Sequence, residues 1–132
     1  MFIKTILQRV IALSSTEAEF YALSEAGKLT LYVRSILEVL GLNQHDATVV
    51  YEDNKECLHM TQHQKSTKNT RHVDLCQFAV VDWVEQDLLE IRKINTKDNS
   101  SDTLTKSLSK ILFYRHTDTL LGHRCPSYVQ PI

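Results

Sequence analysis

At 132 residues the chain has room for one domain with a real core and little to spare. Fifteen basic against sixteen acidic residues leave a formal charge of -1, which excludes a global field favouring nucleic acid or membrane, so any such contact must come from a local patch. Three cysteines, Cys57, Cys76 and Cys125, are odd in number and share no short spacing, so they read as reduced thiols of an intracellular protein, cytoplasmic or nuclear.

In chain order, Met1 to Leu7 is too short and too polar for a secretory core or a membrane span, because Lys4 interrupts it. No membrane partner is expected. Ile6 to Leu13 is β-branched enough for a strand. Ser14 with Glu17 forms a capping box that opens a long helix. Its apolar side runs Ala22, Ala26, Leu29, Val33, Ile36 and Leu40 until Gly41 stops it. Extended back one step, that series places Glu19 on the buried side and leaves Glu17 as the capping acid. Thr48 to Asp53 is a short strand with Val49, Tyr51 and Asp53 on one face. Asn54 caps a helix to about Gln62, and the basic stretch Gln64 to Arg71 is a loop.

Val73 to Gln86 has helical spacing, although Val80-Val81 leaves a strand reading open. Leu89 to Ile94 alternates as a strand, and Asn95 to Ser101 is a loop whose Ser100 or Ser101 caps a helix bearing Asp102. A last helix, Lys110 to Leu121, ends at Gly122, and His123 to Ile132 reads as a loose tail. The order of elements is α/β in character, with one domain over residues 1–122 and the tail over 123–132.

Three carboxylates stand out: Glu19 on a helix, Asp53 at a strand end and Asp102 at the start of another helix. Each has a local explanation as a capping or dipole-facing acid. Together they suit a divalent-metal site, since a buried charge must be paired, neutralised or bound to metal, and oxygen-only donors favour Mg2+ or Mn2+. Cys57, His59 and His63 offer a rival zinc set, but no second ligand cluster and no H-E-x-x-H pattern accompanies them. Lys65, Lys68, Arg71 and His72 form a basic stretch that could meet phosphates or simply face water.

Several runs carry a family likeness. Ala12-Leu13-Ser14-Ser15-Thr16-Glu17-Ala18-Glu19-Phe20-Tyr21-Ala22-Leu23 resembles the A-L-S-S-T-E-A-E-Y-x-A-L signature of the ribonuclease H domain in copia-type (LTR) retrotransposon Pol polyproteins. Tyr51-Glu52-Asp53-Asn54 is similar to its Y-x-D-N, Arg71-His72-Val73-Asp74 to its K-H-I-D, and Ser101-Asp102-Thr103-Leu104-Thr105-Lys106 to its A-D-x-L-T-K. Ser107 stands where the family carries proline.

The resemblance implies a ribonuclease H-like mixed sheet flanked by helices. It further implies cleavage of the RNA strand of an RNA/DNA hybrid by two metal ions about 3.5–4 Å apart, beside a reverse transcriptase region. It makes Glu19, Asp53 and Asp102 three of the family's four catalytic, metal-binding acids. The fourth belongs to a first strand preceding the signature. The expectation is therefore of an N-terminally truncated domain lacking the first two strands and defective in hydrolysis alone. The alternative is a non-catalytic nucleic-acid-binding or protein-interaction module of the same descent.

Overall fold

The computed structural model describes residue 12, residues 14–62 and residues 71–126, without the side chains of 62 and 71–74. The described residues before Ile94 form one compact unit and those from Ile94 onward a second. The strand expected over Ile6 to Leu13 lies outside the described residues except for Ala12, which is not in a strand.

In the first unit, α1 (Ser15–Val39) begins where the backbone N–H of Glu17 donates to Ser14 Oγ at 3.1 Å. It ends in a Schellman motif: Gly41 at φ +76° lets its own N–H reach the Glu38 carbonyl while Leu42 N–H reaches that of Leu37. After β1 (Thr48–Glu52), α2 (Lys55–Gln62) starts under Asn54, whose Oδ1 accepts from the N–H groups of Glu56 and Cys57 at 2.9 and 3.1 Å. Next comes α3 (Arg71–Glu85), which settles the open reading of Val80-Val81 as helix and puts Arg71 at a helix start rather than in a loop. A second Schellman motif closes α3, with Asp87 rather than glycine at positive φ (56°). Then β2 (Leu89–Lys93) pairs parallel to β1, with Thr48 opposite Leu89 and Glu52 opposite Lys93. Among the described residues the sheet has these two strands.

The core of this unit joins Phe20 and Leu23 of α1 to Cys57 of α2 and Val80 of α3, with Val50, Met60, Trp83 and Ile91 packed against them. Fully burying one such apolar side chain is worth about 1.5–3 kcal/mol. The buried lane of α1 is Phe20, Leu23, Ser24 and Gly27. This corrects the sequence-derived face, since Ala22, Ile36 and Leu40 are exposed. The lane lies one residue, a rotation of about 100°, from the series through Ala22 and Ala26. Gly27 accounts for the phase, because a Cβ there would lie 2.5 Å from Trp83 Cζ3; a bare backbone lets α3 approach on that side. Gln77, buried on α3, donates to the Met60 carbonyl at 2.9 Å and ties α3 to α2. Arg34 fixes the path into β1 by donating to Gln44 O, Asp46 O and Thr48 Oγ1, each at 2.8 Å.

In the second unit, two 3-10 turns, Thr96–Asp98 and Ser100–Leu104, precede α4 (Lys110–Leu120). Asn95 and Asn99 cap the turns by accepting from the N–H groups of Lys97 and Ser101 at 3.0 and 3.1 Å. Asp102 therefore lies inside a 3-10 turn capped by asparagine, not at the head of a serine-capped α-helix. Gly122, at φ +78°, closes α4. No helix of the described residues is long and apolar enough to cross a membrane.

Candidate metal centre

Local hydrogen bonding brings α1 and the β1–α2 turn together at their acidic ends. Thr16 Oγ1 donates to Glu56 Oε2 at 2.6 Å, linking the first turn of α1 to the first turn of α2. Glu19 lies one turn further along α1, and Glu52 and Asp53 lie just ahead of the Asn54 cap. Glu19, Glu52 and Asp53 each present a carboxylate oxygen, and these three oxygens lie within 4.8 Å of one another. Two of the sequence-derived ligands, Glu19 and Asp53, thus share one small volume.

Glu52 is the member that sequence reasoning missed. Strand alternation puts it opposite Asp53, but β1 ends at Glu52 and the period of two ends with it. Glu52 is 6% exposed. Burial pushes its carboxyl above the ordinary value, and the charges of Glu19 and Asp53 push it the same way. The backbone N–H of Asn54, donating to Oε1 at 2.9 Å, and a hydrogen bond with Cys57 oppose that rise. The Cys57 thiol is fully buried, and burial followed by the charge of Glu52 pushes it far up. It stays a neutral S–H beside Glu52, not a thiolate. The signal available for Glu52 was its place as the last residue of a short strand directly before Asp53 and the helix-capping Asn54.

Three carboxylates this close, one of them buried, repel one another when charged, and a bound cation would relieve that repulsion. An all-oxygen donor set of this kind fits a hard divalent ion such as Mg2+ or Mn2+. The zinc alternative gains nothing: Cys57 is in the core, His59 is exposed and His63 lies outside the described residues.

Asp102 belongs to the second unit, where it is buried and accepts from Lys106 Nζ at 2.8 Å, an i,i+4 ion pair. Arg71 and His72 lie in the first turn of α3, their side chains outside the described set, and Lys65 and Lys68 lie outside the described residues.

Comparison with known proteins finds likenesses to transposon polyproteins. It is 34% identical over 107 residues to the retrovirus-related Pol polyprotein from transposon TNT 1-94 of Nicotiana tabacum, a stretch covering 81% of this chain and 8% of that polyprotein. The polyproteins from transposons RE2 and RE1 of Arabidopsis thaliana are 27% and 25% identical over 80% and 90% of the chain, and over 7% and 8% of their own lengths. No family model and no solved structure matches. The chain is homologous to retrovirus-related Pol polyproteins of plant transposons and spans less than a tenth of their length.

Proposed function

We propose that the chain is a ribonuclease H-type domain of copia-type descent, whose carboxylates hold divalent metal for hydrolysis of the RNA strand of an RNA/DNA hybrid. The observation that carries this reading is the meeting of Glu19 and Asp53, from a helix and a strand end, within 4.8 Å. Both sit in the motifs that resemble the copia-type signature, and the relatives are Pol polyproteins.

Glu19 and Asp53 would hold the ion. Glu52, tied to Asn54 N–H and Cys57, orients the turn that carries Asp53 and adds negative charge behind it. The assignment of Asp102 to the same ligand role rests on its motif alone. A bound divalent ion supplies activation of water and neutralisation of charge on the leaving oxygen. Lys65, Lys68, Arg71 and His72 are proposed to meet the phosphates of the hybrid, which would make binding fall steeply with salt.

The test is an assay on a hybrid labelled in its RNA strand, with Mg2+ or Mn2+ and with EDTA. Metal-dependent cleavage by the full chain, lost in Asp53→Asn, supports the hydrolase. Salt-sensitive capture of the hybrid without cleavage replaces it with a binding module. The absence of both metal binding and hybrid binding overturns the reading altogether.

A further inference from the structure

The clustered carboxylates stand on separate elements, Glu19 on α1 and Glu52 with Asp53 where β1 runs into α2. Their spacing therefore depends on what holds α1 to the start of α2. Mg2+ takes oxygens at about 2.0–2.1 Å in near-ideal octahedral geometry, so donors from two elements suit it only if the gap between them is fixed. Two joints cross that gap. The inner one is apolar: Phe20, the residue after Glu19, shares a fully buried cluster with Cys57 of α2. The outer one is polar: Thr16 Oγ1 donates to Glu56 Oε2 at 2.6 Å, across 40 positions of sequence. Glu19 lies between Thr16 and Phe20 along α1, and Asp53 lies one turn's length of chain before Glu56.

Neither partner of the outer joint is needed to cap its own helix. Hydroxyls in a first helical turn usually bond to nearby backbone. In α1, Ser14 Oγ fills that role by accepting from Glu17 N–H, and the Thr16 hydroxyl turns to α2 instead. In α2, Asn54 Oδ1 accepts from the N–H groups of Glu56 and Cys57, which leaves the Glu56 carboxylate to receive Thr16. A hydroxyl bonded to a carboxylate is charge-assisted, and 2.6 Å is a length proper to that class. The bond is exposed, where hydrogen bonds add little to overall stability, so its consequence is chiefly geometric.

We infer that Thr16 and Glu56 are positioning residues for the metal centre, their hydrogen bond setting the gap between α1 and α2 and with it the distance between the carboxylates of Glu19 and Asp53. Neither residue belongs to the carboxylate cluster itself. The inference rests on the metal reading of that cluster and adds to it a control on which ion fits.

The experiment measures Mn2+ uptake by the full chain through loss of the free-ion signal in electron paramagnetic resonance, and then displaces Mn2+ with Mg2+ or with Ca2+. Thr16→Val removes the hydroxyl while keeping the side-chain shape and every charge. It should weaken Mg2+ about fivefold, the equivalent of one ordinary hydrogen bond. Ca2+, which accepts longer bonds and irregular geometry, should change little. Thr16→Ser, which keeps the donor, should bind as the wild type does. Glu56→Ala removes a charge as well as the acceptor, so it serves as a background in which Thr16→Val should have no further effect. Equal losses for Mg2+ and Ca2+, no loss for either, or the same loss in the Glu56→Ala background overturn the proposal. A wild-type chain that takes up no Mn2+ overturns the metal reading and the positioning role together. Uptake by the wild type and by Thr16→Val alike removes the positioning role and leaves the metal reading standing.

Discussion

Glu52 and Asp102 are buried to the same degree, each 6% exposed, yet their surroundings are opposite in sign. Asp102 sits in a 3-10 turn four residues before Lys106, whose ammonium lies 2.8 Å away. Glu52 has two further carboxylates within 4.8 Å and, as compensation, a backbone N–H and a thiol. The first arrangement satisfies a carboxylate within its own turn. The second concentrates like charge where burial already penalises it, and burial plus repulsion raise the proton affinity of Glu52. A fold tolerates such a cluster at a cost, which a bound divalent cation would remove.

The comparison is broken most directly by adding metal. Mg2+ or Mn2+ at 100 times its dissociation constant should stabilise the chain by about 2.7 kcal/mol, read as a rise in melting temperature. Asp53→Asn should abolish that rise and Lys106→Ala should preserve it; the reverse pattern would move the metal to the other unit. Glu52→Gln tests the repulsion itself. It keeps an oxygen for Asn54 N–H and should raise the stability of the metal-free protein by about 0.5–2 kcal/mol at neutral pH in chemical denaturation.

The pH dependence sharpens the same point. Glu52 has a raised carboxyl in the folded chain against an ordinary 4.5 when unfolded, so the folded state holds its proton more tightly. The contribution is therefore fully favourable below about 4.5 and is lost as pH rises through the raised value. The difference in unfolding free energy between the wild type and Glu52→Gln should open over that window and close again with added Mg2+. The smallest effect is expected from Lys106→Ala. Its side chain is 48% exposed, and screening limits the loss to about 0–1 kcal/mol.

Local chemistry was the part of this fold legible in the sequence. Ser14, Asn54, Gly41 and Gly122 announce helix boundaries because each acts through hydrogen bonds to residues within a few positions. What escaped depends on partners distant in the chain or on less common choices. The buried lane of α1 includes Ser24 and Gly27, small residues that an apolar series passes over, and their burial depends on Trp83 arriving from α3. The end of α3 was read to within one residue, Gln86 against Glu85, even though Asp87 rather than glycine takes the left-handed position. Asn95 and Asn99 outcompeted Ser100 and Ser101 as caps through the i to i+2 geometry that asparagine favours. Glu19 and Asp53 were readable as a pair, whereas the inclusion of Glu52 follows from where β1 stops pairing with β2.

The contact between Gly27 and Trp83 makes the chain its own spectroscopic ruler. Trp83 is the single tryptophan in the sequence, and it lies against α1 with Leu89 of β2 beside the same glycine. Its emission therefore reports the unit that holds Glu19, Glu52 and Asp53, while the unit of Asp102 and His116 contributes no indole signal. Tryptophan fluorescence and far-ultraviolet circular dichroism, followed through one denaturation, should superimpose if the two units melt together and separate if they do not.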